Sequence, residues 1–416
     1  MTDFKALIAS YQNCPCGQKH ECAIRDIRMG SGIVSEVGAI LRENGFGRRL
    51  LVTADKTTLA AAHGILESLA EFDLTLHVYD TIRVATLDHV AEIEAILPQV
   101  DGVLAVGTGS VHDPARLACA HAGTPLCLFA TAPSMDGFAS YSAPIVGGNF
   151  KITYPAKCPE VIIADTKILA AAPTQLKSAG FGDMVSKYVA FIDWQVSHLL
   201  TGESYCQRVA DLTRRAADQI MAMADRVTLC DEESAGLIFE SLLLTGIAMS
   251  FTKTSRPGSG TEHIMAHYWE CMELLEGKTP NFHGEDVGVS TLMILQYYEK
   301  LAALPSVRAH REENDWDEIY RVYGPLSEDV KKLNTPDTIT DTIDPAMIEE
   351  NWPEIVKIIR SVPSYDDCLT AMRKAGCKCT IEEIGKEKDF VEISFRYHPY
   401  MRRRLSLKRV SHMIEL

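Results

Sequence analysis

The feature that most constrains this chain is a change of rhythm near residue 166. Before it, short apolar runs alternate with amphipathic stretches; after Pro173, helical periodicity continues almost to the end with no strand-like run. The runs at 21–30, 48–55, 73–80, 101–107, 124–130 and 160–165 read as strands, and the stretches at 34–45, 57–72, 87–99 and 110–123 as helices between them. Buried strands separated by helices predict a parallel sheet covered on both faces. The punctuated segment 141–155, with Pro144, Gly147 and Gly148, reads as a hairpin. Helices are expected over 174–199, 202–228, 231–253, 261–276 and 284–302. The expected division is therefore an α/β, Rossmann-like domain over 1–168 and an all-α domain over 169–416.

Charge and apolar pattern narrow the function. A net charge of −15 argues against nucleic-acid binding, which needs clustered Lys and Arg. One dense basic run, Arg402, Arg403, Arg404, Lys408 and Arg409, reads as the solvated face of a last helix. The start lacks the apolar core of a signal peptide, and the longest apolar run, 241–251, is short for a bilayer. A cytoplasmic protein without stable membrane insertion is expected. Twelve cysteines without a secretory signal read as thiols. Cys119, Cys127, Cys206 and Cys271 lie in apolar settings and read as small core residues. Cys14, Cys16, His20 and Cys22 could hold zinc. Their C-x-C spacing is tighter than the usual knuckle and no second pair follows nearby, so a plain turn before the first strand is the preferred reading.

Two glycine turns end successive strands. The first, Gly107-Thr108-Gly109-Ser110, enters a helix at once, so glycine permits close backbone approach and the helix start offers free N–H groups to a pyrophosphate. His112 stands where the usual G-x-G-x-x-G pattern has its last glycine, and an unliganded βα turn fits equally well. The second, 131–140, is rich in hydroxyls; Asp136 could take a substrate hydroxyl or cap its own turn. Asp55, at a strand end, could accept from an adenosine ribose or cap the following helix.

Four residues bear on metal chemistry. His263 and His267, four apart, share a helix face; His283 opens the next helix, and Asp183 stands in GFGDMVSKY. The pattern is not H-E-x-x-H, which disfavours a metalloprotease. Two imidazoles and a carboxylate leave coordination positions open, as a catalytic ion needs. Spacing alone also fits unconnected packed or surface histidines.

The ordered segments GTGSVHD, TAPSMDGFAS, AGFGDMVSKY, SRPGSGTEHIMAH and FHGEDVGV resemble those of sn-glycerol-1-phosphate dehydrogenases. That family shares a superfamily, with a dehydroquinate synthase-like fold, with glycerol dehydrogenases and iron-containing alcohol dehydrogenases. The resemblance implies NAD(H) or NADP(H) along Gly109, Ser110, Val111, His112, Asp113, Thr131, Ala132, Pro133, Ser134 and Ser140, with Asp55 near the adenosine. It implies a metal on Asp183, His263 and His283, zinc first, with nickel and iron as alternatives. Asp136 and His267 would contact the substrate and act in catalysis, beside Asp183. A departure stands at Thr108 and His112, where relatives often show GGGS and an apolar residue. The implied reaction interconverts dihydroxyacetone phosphate and sn-glycerol 1-phosphate, the metal acting as a Lewis acid during hydride transfer. Lys253, Ser255, Arg256 and Ser259 are the expected phosphate site, and a homodimer is expected. A glycerol (polyol) dehydrogenase and a dehydroquinate-synthase-like lyase are the alternatives.

Overall fold

A computed structural model describes residues 2–148 and 150–415. Its main sheet has six strands: β1 (Asp26–Gly30), β2 (Arg49–Asp55), β3 (Asp73–Tyr79), β4 (Gly102–Gly107), β5 (Leu126–Ala130) and β8 (Val161–Asp165). Their order is β1-β8-β5-β4-β2-β3, every pairing parallel. All residues of β4, β5 and β8 are buried, as uninterrupted apolar strands under two helical layers should be. The order reverses between β2 and β4: β3 lies outside one and β5 outside the other. A crevice therefore opens at their carboxyl ends, where Asp55 and Gly107 stand. A separate hairpin, β6 (Ser142–Gly147) and β7 (Phe150–Pro155), pairs antiparallel as expected.

Beyond Asp165 every named element is helical. The expected helix over 57–72 is instead two short ones, Lys56–Ala61 and Ile65–Ser68, parted at Gly64, whose φ of 90° breaks the run. The expected helix over 174–199 is Thr174–Val185 followed by Lys187–Thr201. The apolar run at 241–251 lies in a 21-residue helix, Glu232–Thr252. That helix is long and apolar enough to cross a membrane, yet it is largely buried in the protein core.

The basic run near residue 405 departs from expectation. Only Leu407–Val410 is helical, Arg402 and Arg404 are half-buried, and Lys408 and Arg409 are buried. Arg409 pairs with the buried Glu312 at 2.8 Å, and Arg402 donates to the Lys151 carbonyl at 2.8 Å. These cations brace the interior, whereas Arg403 is exposed as expected and pairs with Asp337 at 2.7 Å.

Close packing fixes helix Thr174–Val185. A Cβ at Gly180 would stand 2.0 Å from the Pro133 carbonyl oxygen, and one at Gly284 would stand 1.9 Å from that of Ala179. Glycine at these positions lets the helix press against the 131–136 loop on one side and helix His283–Ala302 on the other. That contact carries Asp183 and His283 to one place.

Candidate active site

Asp183 lies in the last turn of its helix, not at a helix start, and is fully buried. Its Oδ2 accepts from the Asp136 backbone N–H at 2.9 Å. Its Oδ1 accepts from Lys187 Nζ at 2.7 Å and faces His263 Nε2 at 3.4 Å. Burial alone would raise this carboxyl, but Lys187 and His263 outweigh it and hold it far below the usual range.

Lys187 is the largest omission from the sequence reading. Its ammonium is buried, bonded to Asp183, 2.6 Å from Asp136 Oδ2, and donates to the Gly258 carbonyl at 2.9 Å. The i, i+4 spacing from Asp183 was visible and could have flagged it. Burial opposes its charge, but the two aspartates keep it protonated. The Asp136 carboxyl is raised by burial and by Asp183, with Lys187 opposing.

The three candidate ligands converge. Donor atoms of Asp183, His263 and His283 all lie within 4.8 Å of one another, and a second set, His267, Glu270 and His283, meets the same limit. His263 is oriented by Glu262, whose buried Oε1 accepts from Nδ1 at 2.7 Å and also from the Gly260 N–H. With Nδ1 so committed, Nε2 points at a carboxylate oxygen, an arrangement that needs a proton or a cation between the two. Burial, aided by neighbouring positive charge, holds His267 and His283 well below the ordinary imidazole range, leaving neutral rings with lone pairs to offer. The donor set therefore fits a divalent ion. Glu262, adjacent to His263 and unused by the sequence reading, is its orienting partner.

The dinucleotide candidates divide. Helix Gly109–Ala122 starts at the end of β4, and its N-cap residue, Thr108, makes no side-chain cap bond, so its first N–H groups face the crevice without a side-chain cap. Gly109, Ser110, Asp113, Asp136 and Ser140 line the same cavity as His263, His267 and His283. Ser110 Oγ donates to the Ile82 carbonyl, and Ser140 Oγ to that of Ser142. Asp113 pairs with buried Arg116 and is raised to about 6 by burial. Thr131, Ala132, Pro133 and Ser134 form the buried loop leading to Asp136, and Val111 is core.

His112 and Asp55, like Val111 and the 131–134 loop, lie off the cavity wall. The His112 ring is fully buried against Phe138 with neither nitrogen bonded, and burial lowers it to about 3; its side chain does not reach the crevice. Asp55 accepts from Thr58 N at 2.7 Å in a capping box and from Ile82 N at 3.4 Å, the capping alternative. It still ends β2 at the reversal point of the sheet.

The expected phosphate group is rearranged. Arg256 is buried and bonded to Glu203, Ser197 Oγ and the Leu405 carbonyl, so it is committed to structure. Lys253 is exposed, 3.8 Å from Glu21. Ser255 and Ser259 do line the cavity, and Arg404 binds both hydroxyls, at 2.5 and 2.9 Å. Lys151, paired with Glu270 at 2.6 Å, adds a second cation at the wall.

A parallel-sheet crevice facing an Asp-His-His cluster on a helical half defines a dehydrogenase fold of the dehydroquinate synthase-like kind. Residues 28–173 match the family model described as iron-containing alcohol dehydrogenase. The fold resembles the crystal structure of NADH-dependent butanol dehydrogenase A from Thermotoga maritima, with a TM-score of 0.63 at 15% identity over 95% of this chain and 94% of that one. A glycerol-1-phosphate dehydrogenase [NAD(P)+] of Halalkalibacterium halodurans is 34% identical over 298 residues, covering 70% of this chain and 74% of the relative. One of Geobacillus stearothermophilus is 29% identical over 398 residues, covering 94% and 93%. The chain belongs to the glycerol-1-phosphate dehydrogenase family.

Proposed function

We propose that this protein interconverts dihydroxyacetone phosphate and sn-glycerol 1-phosphate with NAD(H) or NADP(H) and a divalent ion. The observation that carries the reading is one cavity lined by the helix start at Gly109, by His263 and His283 with Asp183 buried behind them, and by Ser255, Ser259 and Lys151. The names of the similar dehydrogenases support the substrate. The proposal includes zinc as resident ion and a cytoplasmic homodimer, which metal analysis, fractionation and sedimentation test.

Asp183, His263 and His283 would hold the ion, which when bound draws electron density from the substrate carbonyl. The helix start at Gly109 would receive the pyrophosphate and bring the nicotinamide toward the cluster. Hydride goes to the carbonyl carbon, and the oxygen takes one proton. Asp136 lines the cavity beside Asp183 with its carboxyl raised by burial, so it is placed to pass that proton, and Lys187, held protonated 2.6 Å away, offsets the charge of the two carboxylates. His267, neutral and on the cavity wall, is placed to accept or donate a hydrogen bond at the substrate hydroxyl. The phosphate would lie on Ser255 and Ser259, backed by Arg404, with Lys151 across the wall.

The expected result is NAD(P)H oxidation with dihydroxyacetone phosphate that is lost on chelation, restored by a divalent ion, and yields the 1-phosphate enantiomer. Failure of metal-loaded protein to consume NAD(P)H overturns the reading. Arg404→Ala should raise KM for the phosphorylated substrate by about tenfold or more, as loss of a charged hydrogen-bonding partner does, without a matching change for an unphosphorylated polyol.

A further inference from the structure

Far along the chain from the catalytic histidines, the fold builds a second convergence of ligand-type side chains. Donor atoms of Cys14, Cys16, His20 and Cys206 all lie within 4.8 Å of one another. The Cys14 and Cys206 sulfurs are 3.7 Å apart, and Cys16 Sγ lies 3.1 Å from His20 Nε2. Tetrahedral zinc with bonds of about 2.3 Å to sulfur requires sulfur–sulfur edges of about 3.8 Å. The Cys14–Cys206 separation is thus already that of a shared ion, and all three cysteines are free thiols. We propose that Cys14, Cys16, His20 and Cys206 form a closed structural zinc site, separate from the catalytic one.

The surroundings prepare these side chains for an ion. The Gly17 N–H donates to the Cys14 carbonyl at 3.1 Å, and Gly17 takes a φ of 78°, so Cys14-Pro15-Cys16-Gly17 forms a tight turn. His20 is fully buried, and its Nδ1 stands 3.1 Å from the Phe251 carbonyl. A carbonyl only accepts, so Nδ1 carries the proton and Nε2 presents its lone pair on the Cys16 side, the arrangement seen in ligating histidines. Cys206 is the N-cap residue of helix Gln207–Ala222 and makes no side-chain cap bond, which leaves its sulfur free to face Cys14. Arg208, on the same helix as Cys206, lies 4.2 Å from the Tyr11 ring and donates to Ser10, which docks the first helix, Phe4–Ser10, beside the cluster. Thiolate-rich sets select zinc over hard cations. Four protein donors leave no open position, so the ion would join residues 14–20 to residue 206 without entering the reaction.

The test uses the full-length protein purified without chelator. The expected result is an equivalent of zinc per chain beyond the one at the Asp183 site, which persists in Asp183→Ala and is lost in Cys16→Ser/Cys206→Ser. Wild-type protein grown with cobalt keeps the test open should either variant misfold. The catalytic donor set contains no sulfur, so intense sulfur-to-cobalt charge-transfer absorption can come only from the cysteine cluster. Cobalt bound without such bands overturns the proposal. So does a Cys14–Cys206 disulfide in anaerobically purified protein, read as a two-dalton mass loss and a peptide cross-link.

Discussion

The two histidine-containing clusters differ in chemistry and in what surrounds them. The Asp183 cluster offers nitrogen and oxygen, lies against a cavity, and has a buried lysine between its carboxylates. The Cys14 cluster offers three sulfurs and a nitrogen, and its histidine is backed by a main-chain carbonyl. An ion with three protein donors keeps room for a reactant, whereas four donors close the sphere. Lys187 shows how the open cluster manages charge: two buried aspartates would otherwise repel each other, and its ammonium screens both. Position along the chain tells the same story. The open cluster draws on helices that also shape the cavity; the closed one ties a terminal arm to a helix start.

The contrast can be broken most sharply at Asp183. Asp183→Ala should lower turnover by about three orders of magnitude or more, while dinucleotide binding, measured by NADH fluorescence, and the zinc of the cysteine cluster both persist. An active, metal-replete variant would show that the carboxylate is not a ligand. Next in size is Glu262→Gln. Loss of the carboxylate that orients His263 should weaken metal affinity at the open site by about 10–100-fold, seen in competition with a chelating dye, with no change at the cluster. The smallest effect belongs to the closed cluster itself. Cys14→Ser should lower the thermal midpoint by a few degrees and leave kcat within about twofold. A large fall in kcat at unchanged midpoint would join the two sites functionally and end the distinction.

How much of this was legible in the sequence follows from distance along the chain. The parallel sheet was readable because each strand is a local apolar run, and the His263/His267 pair because a helix fixes i, i+4 neighbours. Lys187 obeyed the same rule relative to Asp183 but was passed over, since a lysine is ordinarily a solvated residue. A phosphate site is expected next to the histidine pair in sequence, at Lys253 and Arg256. The structure instead commits Arg256 to Glu203 and brings Arg404 to Ser255 across 149 positions. Cys206 lies 192 positions from Cys14, so nothing local could mark the two as partners. The basic run at 402–409 misled for a related reason: density of charge suggests solvent, but buried carboxylates and carbonyls elsewhere had already been supplied for it.

One further buried carboxylate, Asp193, shapes when the site can exist. It accepts from Thr261 N at 2.7 Å, at the start of the helix bearing His263, and from Leu407 N at 2.9 Å. Tyr298 OH donates to it at 2.6 Å. The histidine helix is thus pinned through a group that also grips residue 407, and Arg404 arrives on the same stretch. During synthesis at roughly 5–20 residues per second, the sheet and its crevice emerge well before that stretch. The residues of the crevice are therefore made well before residues 404–407, which reach Ser255, Ser259 and Asp193. The final residues thus complete both the anchor of the histidine helix and the core beneath it, and a chain truncated before residue 404 should lose turnover with phosphorylated and unphosphorylated substrates alike.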